Sequence, residues 1–160
     1  MFRFWYRYVF GNRTLVETGA QEAVWQKRIE PNYSSYMGLV FEKVCSDYLT
    51  AQNANGNLPF LFTAIGRWWG TNPKTHKQVE IDLIANDGKD YLICECKWRK
   101  EKTDLSVLNE LKENADIFNT KRDNTWFILF TKVGFTDAVL KEAQTDPNII
   151  LVDMSKLMDI

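Results

Sequence analysis

The sequence predicts an α/β domain in which helices flank a mixed central sheet of about five strands. Hydrophobic residues recur at helical spacing in some segments and form strand-like runs in others, and the two kinds alternate along the chain. Polar stretches containing Gly or Pro separate them. After an N-terminal helical part, the predicted order is α-β-β-β-α-β, with a short helix before the last strand.

The N-terminal residues predict a helical part. Phe2 to Phe10 is strongly aromatic and favours a short helix that stops at Asn12, and residues 16–27 favour a second helix. The arginines that interrupt the aromatic run are not typical of a signal peptide. We expect this part to pack on the core or to lead to another domain.

Pro31 predicts the main internal boundary, because proline disfavours helix at the preceding Glu30. Residues 1–30 are therefore expected to form the N-terminal helical segment. Residues 31–160 are expected to form the main domain, with one hydrophobic core.

The main domain should begin with an amphipathic helix capped by Ser34 or Ser35, since apolar residues recur at helical spacing from Met37 to Tyr48. The remaining predicted elements are three strands, a helix capped at Thr103 or Asp104, a strand covered on both faces, a short helix and a last strand with a terminal helical turn. They are Phe60–Trp69, Val79–Ala85, Tyr91–Trp98, Leu105–Phe118, Thr125–Val133, Asp137–Ala143 and Ile149–Val152. A Gly-containing connection joins the second and third strands as a hairpin.

Charge and composition narrow the classes of function. The formal net charge is -1 and the pI is about 5.9, so nucleic-acid binding would require a local basic patch. No apolar run approaches the roughly 20 residues that a membrane-spanning helix needs. An odd number of cysteines predicts reduced thiols in a cytoplasmic protein. His76 has no cysteine or acid at zinc spacing nearby, which argues against a zinc site.

Asp82, Glu95 and Lys97 form the candidate site. Side chains alternate along a strand, so Glu95 and Lys97 share a face, and hairpin pairing brings Asp82 opposite them. Two carboxylates supply the hard oxygen ligands that Mg²⁺ prefers, and Lys97 would orient a water or neutralise charge developing on phosphate oxygens. An exposed ladder of ion pairs is the alternative, but the apolar neighbours Leu92 and Ile93 favour a central and costly position for these charges.

Other polar residues have two interpretations each. Glu42 borders the apolar stripe of its helix and is either a boundary glutamate or a third acid reaching the metal. Arg99, Lys100 and Lys102 follow the site and form either solvated surface or, with Arg67, an edge that binds phosphates.

Trp68 and Trp69 are adjacent in a strand and therefore face opposite ways. One indole is expected in the core, and the other either packs or stacks on an unpaired base. Packing is the favoured interpretation.

The order Glu42, Glu80-Ile81-Asp82 and Glu95-Cys96-Lys97, on a helix and two strands, resembles the PD-(D/E)XK nuclease superfamily. The resemblance implies a restriction-endonuclease-like core with Asp82, Glu95 and Lys97 as its signature and Glu42 as the helix-borne acid. It also implies Mg²⁺ or Mn²⁺ as cofactor and DNA as substrate. Ile81 stands where the signature has proline.

A second resemblance covers nearly the whole chain. The segments that carry it are Phe2-Arg3-Phe4-Trp5-Tyr6-Arg7-Tyr8-Val9, Tyr36-Met37-Gly38-Leu39-Val40-Phe41-Glu42, Ile65-Gly66-Arg67-Trp68-Trp69-Gly70, Glu80-Ile81-Asp82 and Glu95-Cys96-Lys97-Trp98. They look like the C-terminal domain of unknown function of archaeal-type P-loop ATPases. The resemblance implies an ATPase domain as partner and an excised domain here, because this chain has no P-loop motif.

Two functions follow from these resemblances. One is a Mg²⁺-dependent endonuclease that acts with an ATPase. The other is a catalytically inactive nuclease-fold module that docks to DNA or to the ATPase domain. Whether the chain forms homo-oligomers is left open.

Overall fold

The computed structural model describes residues 2–118 and 121–159, so Met1, Asn119, Thr120 and Ile160 of the predicted ranges lie outside the described residues. Its contacts divide the chain into two compact units, Met1–Leu39 and Val40–Ile160. The division falls inside one helix, whereas the sequence placed the boundary at Pro31. No helix among the described residues is both long and apolar enough to cross a membrane.

The first unit is helical almost throughout. Its α-helices are α1 (Phe2–Phe4), α2 (Arg13–Glu17) and α3 (Gln21–Val24); π-helical turns occupy Trp5–Val9 and Trp25–Ile29, and a 3₁₀ turn occupies Phe10–Asn12. Tyr8, Val24 and Ile29 are its buried residues. The Tyr8 ring lies 5.1 Å from the Phe4 ring and 5.6 Å from the Tyr36 ring, so aromatic packing holds this unit together.

The helix α4 (Glu30–Ala54) begins at Glu30, so the prediction that Pro31 disfavours helix at that residue is wrong. Pro31 is the second residue of α4, which continues directly from the π-helical turn Trp25–Ile29, so the chain stays helical across this proline. Ser34 and Ser35 lie inside this helix and do not cap it.

The second unit is built on one five-stranded mixed sheet, as the sequence predicts. Its strands are β1 (Ala64–Thr71), β2 (Gln78–Asn86), β3 (Asp90–Lys97), β4 (Asn124–Thr131) and β5 (Ile149–Asp153), in the spatial order β1-β2-β3-β4-β5. Its remaining helices are α5 (Leu105–Phe118), α6 (Asp137–Thr145) and α7 (Met154–Met158). The first three strands are antiparallel, and β4 and β5 join in parallel.

β1 begins later than the sequence predicts, at Ala64 and not at Phe60. The Asn53 side chain accounts for part of this difference. It donates a 3.1 Å hydrogen bond to the Phe62 carbonyl and accepts a 3.0 Å bond from the Phe62 N–H. These backbone groups are therefore satisfied outside the sheet.

Apolar layers cover both faces of the sheet. One core packs α4 and α7 against it and includes Phe41, Cys94 and Phe130. The other packs α5 and α6 against the opposite face and includes Ile93 and Leu129. β4 contributes to both, which confirms the prediction of a strand buried on both sides.

β2 contains a bulge at Asp82 and Leu83. Gly66 pairs with Ile84 and Trp68 pairs with Ile81, so these two residues of β2 lie opposite the single residue Arg67. As a result Ile81 packs in the α5 core and Leu83 in the α4 core, although they are two positions apart.

Candidate functional site

The pairing between β2 and β3 stops at the position of the bulge. The last paired residues of this ladder are Leu83 and Cys94. Two residues further along β3, the Asp82 carboxylate accepts a 2.8 Å hydrogen bond from the Cys96 backbone N–H. A side chain thus takes the place of a ladder carbonyl, and β2 and β3 separate beyond it.

Glu95 and Lys97 lie on β3 beside this gap. The alternation predicted for β3 is confirmed, because Cys94, Cys96 and Trp98 all pack with the α4 core. The Lys97 ammonium donates to the Glu95 carboxylate, and the two side chains are 28% and 14% exposed. Both charges are thus partly removed from water, unlike an exposed ion pair on a sheet surface.

The three residues line one cleft of about 350 Å³, which the sequence spacing predicted. The other residues that line it come from β2 and α5, and they are Gln78, Val79, Glu80, Glu110 and Asn114. Sequence reasoning did not select Glu110 and Asn114. Their signal was available, because they are four residues apart and border the buried Leu111 and Ala115 on one side of α5.

Burial, helped by the charge of a neighbouring carboxylate, raises the pKa of both acids. Burial raises the pKa of Asp82, and Glu80 raises it further, although the Cys96 N–H and the positive charges of Lys97 and Arg67 partly offset this. Burial, followed by the charge of Asp82, raises the pKa of Glu95 to about 7, although Lys97 opposes this shift. The protein therefore holds two neighbouring carboxylates at a cost that a bound cation would relieve.

Lys97 stays charged in this setting. Burial alone would lower the pKa of its ammonium, but the ion pair with Glu95 and the charge of Asp82 together raise it above its ordinary value. At neutral pH the group therefore acts as a hydrogen-bond donor and a positive charge. It is not available as a base.

The donor set fits a hard divalent cation that keeps part of its water shell. Mg²⁺ is commonly held by one or two carboxylates together with substrate phosphates, and Asp82 and Glu95 provide two on one cleft. Within residues 2–118 and 121–159, no three His, Cys, Asp or Glu side chains are grouped so as to hold a metal ion. A metal here would therefore rely on water and substrate for its remaining ligands.

Glu42 is engaged elsewhere in the structure. Its carboxylate accepts from the Arg67 guanidinium, whose other nitrogen lies 3.0 Å from Glu80. Glu42 does not line the cleft of Asp82 and Glu95. Arg67, which the sequence groups with phosphate-binding residues, is thus held between two carboxylates.

The basic residues after β3 lie on the surface near the end of that strand. Lys100 and Lys102 are exposed, and the Arg99 guanidinium donates a 3.4 Å hydrogen bond to the Lys102 carbonyl. Lys132 lies over the Trp98 ring at 4.4 Å from its centre, on the loop after β4. These residues form a basic edge beyond the carboxyl end of β3.

Comparisons with known proteins place this chain among archaeal and bacterial sequences. Residues 5–122 match the family model DUF234, described as archaea bacterial proteins of unknown function. An uncharacterized protein of Methanocaldococcus jannaschii, MJECL04, is 42% identical over 101 residues, which are 62% of this chain and 21% of that protein. The chain thus spans about a fifth of that relative's length. No solved structure matches the chain. Since the family model covers well over half of the sequence, the chain belongs to the DUF234 family.

Proposed function

We propose that this chain is a metal-dependent nuclease domain with a restriction-endonuclease-like core that acts on DNA phosphodiesters. One observation carries the proposal: Asp82, Glu95 and Lys97 line a single cleft at the point where β2 and β3 separate. Two carboxylates can hold the cation that assists phosphodiester hydrolysis, and an ammonium can stabilise the negative charge that develops. The perturbed pKa values of the two acids are a further feature that functional sites share.

The topology supports the same proposal. Three antiparallel strands, a helix and a parallel fourth strand follow the order that the resemblance to PD-(D/E)XK nucleases implies. The candidate signature lies on the second and third strands of this set, as in that resemblance.

The cation, Mg²⁺ or Mn²⁺, would be held by Asp82 and Glu95, and when bound it polarises a phosphodiester and acidifies a water. Lys97, charged at neutral pH, would donate to a phosphate oxygen and stabilise the negative charge that grows there as water attacks phosphorus. Glu95 keeps Lys97 in place through their ion pair. Glu42 would join as a third acid only after exchanging its contact with Arg67.

The basic edge suits the backbone of a nucleic acid. Arg99, Lys100 and Lys102 follow β3 directly, so phosphates that flank the scissile one would lie near them. We include Arg67 in this group, although its charge is shared with Glu42 and Glu80.

We further propose that the chain works as part of a larger cytoplasmic protein that contains an ATPase domain. The support is the length of the Methanocaldococcus relative and the resemblance carried by the sequence motifs. The three cysteines are unpaired in the structure, as expected of a reducing compartment.

A cleavage assay tests the nuclease proposal. Supercoiled plasmid and oligonucleotides are incubated with the chain, with Mg²⁺, Mn²⁺ or a chelator, alone and with the ATPase domain of a full-length relative. We expect metal-dependent cleavage that Glu95→Ala abolishes. Glu113→Ala is the matched control, because Glu113 is an exposed carboxylate of α5 that does not line the cleft. Cleavage by Glu95→Ala at the wild-type rate would contradict the proposal.

A second candidate function, an inactive nuclease-fold module that docks to DNA or to the ATPase domain, is favoured by the position of Glu42. Its carboxylate pairs with Arg67 and leaves only two acids on the cleft. Metal-independent DNA binding without cleavage in any of these conditions would support this alternative.

A further inference from the structure

Trp69 is far more exposed than an indole in a folded domain usually is. Trp69 is 73% exposed. Its neighbour Trp68, in contrast, packs on the α5 core, and its ring centre lies 5.4 Å from that of Phe118. Within the described residues, no ring contact of the Trp69 indole is found. An indole in water offers two free faces for stacking.

Trp69 projects from a two-stranded ribbon. β1 and β2 remain paired from Trp68 and Ile81 out to Thr71 and Gln78, although β3 no longer pairs with β2 beyond Leu83. The ribbon is therefore an extension of the sheet beside the candidate site.

The ribbon is fixed to the domain, so Trp69 is held in position. The Trp68 ring lies across Gly70, where an added Cβ would meet it at 2.5 Å. Asn114 of α5 donates a 3.4 Å hydrogen bond to the Glu80 carbonyl on the other strand. A preorganised stacking surface loses little entropy when it binds.

The tip of the ribbon carries two exposed lysines, Lys74 and Lys77, and the sequence has no aspartate or glutamate between Asp47 and Glu80. Glu113 and Asp116 of α5 line a hollow together with Lys74, so they partly offset its charge. Asn72 orders that tip by accepting from the N–H groups of Lys74 and Thr75 at 2.9 and 3.2 Å. Glu80, which pairs with Trp69 across the ribbon, is offset by Arg67 at 3.0 Å.

The ribbon surface is continuous with the candidate site. A hollow of about 390 Å³ lies along Trp69, Gly70 and Thr71 and is also lined by Gln78, Val79 and Glu80. The last three residues line the cleft of Asp82 and Glu95 as well. A strand whose base stacks on Trp69 would therefore pass its backbone next to that cleft.

We propose that this ribbon binds single-stranded nucleic acid, with Trp69 stacking on an unpaired base and Lys74 and Lys77 contacting phosphates. Its link to cleavage rests on the nuclease proposal, and it then names the substrate: a strand with an unpaired segment beside the scissile bond. Stacking of this kind tolerates any base, because every base has a π face.

Binding measured without metal tests the ribbon separately from the chemistry. The labelled probes are a 20-nucleotide oligo(dT), the matching oligo(rU) and a 20-base-pair duplex, all in chelator. We expect the single strands to bind more tightly than the duplex, and Trp69→Ala to weaken their binding about 10-fold. Trp69→Phe should restore most of the affinity. Single-strand binding should also quench indole fluorescence in the wild type, and this quenching should be smaller in both variants.

Matched control variants distinguish an effect of the ribbon from a general loss of an exposed indole or a surface charge. Trp25→Ala removes another exposed indole outside the ribbon and should leave binding unchanged. Lys74→Ala should lower both the affinity and its salt dependence, whereas Lys141→Ala on α6 should not. Unchanged binding by Trp69→Ala, or duplex binding as tight as that of the single strands, would overturn the inference.

Cleavage and binding can fail separately. Metal-dependent cleavage that does not depend on Trp69 would leave the nuclease proposal standing and remove the ribbon from it. Trp69-dependent binding without cleavage in the metal assay would keep the ribbon as a binding site on an inactive module. A difference between oligo(dT) and oligo(rU), both still Trp69-dependent, would assign the strand as DNA or RNA and support the inference.

Discussion

The Asp82 carboxylate accepts a 2.8 Å hydrogen bond from the backbone N–H of Cys96. This side chain closes the end of the β2–β3 ladder and also faces the cleft shared with Glu95 and Lys97. One residue therefore has a structural contact and a candidate chemical role, and the two can be separated by substitution.

Asp82→Ala and Asp82→Asn should differ in stability. Alanine leaves the partly buried Cys96 N–H without its acceptor, which costs about 1–3 kcal/mol, whereas asparagine can still accept that bond. Chemical denaturation measures the difference, and hydrogen exchange should quicken near Cys96 only in the alanine variant. Both variants should lose metal-dependent cleavage. Equal stability of the two would show that the hydrogen bond contributes little.

The Glu95 carboxyl should make stability depend on pH near neutrality. Its folded pKa is about 7, above the ordinary value of 4.5, so the folded state binds this proton more tightly than the unfolded state does. Its contribution is complete below the unfolded pKa and is lost as pH rises through about 7. We expect the free energy of unfolding to fall between pH 5.5 and pH 8 less steeply in Glu95→Gln than in the wild type. Glu113→Gln should keep the wild-type slope.

Lys97 and Lys100 should affect different kinetic quantities. Lys97→Ala removes a charge next to the reacting phosphate and should lower the saturated cleavage rate more than DNA affinity, by about 10²-fold or more. Arg99→Ala and Lys100→Ala remove charge from the basic edge and should weaken affinity and its salt dependence with little change in the saturated rate. Single-turnover cleavage and equilibrium binding give the two quantities. A larger effect of Lys97→Ala on binding than on rate would argue against its role in catalysis.

The Glu42 and Arg67 pair should stabilise the domain. Arg67→Met leaves the Glu42 carboxylate, 20% exposed, without this partner and should cost about 1 kcal/mol. The double variant with Glu42→Gln should recover part of that loss, which thermal unfolding can measure. If Glu42 also serves as a third acid, Glu42→Gln should lower the rate of metal-dependent cleavage at saturating DNA, whereas Arg67→Met should act mainly on DNA affinity.

Gly70→Ala should disturb the ribbon because of the Trp68 ring. The new Cβ would meet that ring at 2.5 Å, and overpacking of this kind costs about 1–3 kcal/mol. Gly66→Ala is a matched control on the same strand, since a Cβ there meets nothing within 4 Å. Thermal unfolding compares the two, and equal melting temperatures would show that Trp68 moves aside at no cost.

Much of the sheet could be predicted because hydrophobic period and turn chemistry are local signals. The alternation of Cys94, Glu95, Cys96 and Lys97 on β3 gave the correct faces. The Gly-containing connection gave the correct antiparallel pairing of β2 with β3, although Asp82 lies just beyond the last paired residues. Both depend only on residues that are close in sequence.

The structure differs from the sequence-based prediction where a contact between residues distant in sequence, or an irregular strand pairing, determines the local conformation. Nothing local shows that Asn53 binds the backbone of Phe62 and delays the start of β1. Glu42 was open between two interpretations because its partner Arg67 lies 25 residues away. The bulge in β2 is equally hidden, since it is set by pairing with β1.

The bulge makes the candidate site depend on the number of residues in β2 as well as on their identity. Between the pairs Gly66–Ile84 and Trp68–Ile81, β2 has one residue more than β1. Deleting Leu83 would restore regular pairing with β1 and shift Asp82 by one position relative to Glu95 and Lys97, while every acid and the lysine stayed in the chain. A length polymorphism of one codon could thus erase the site without any substitution.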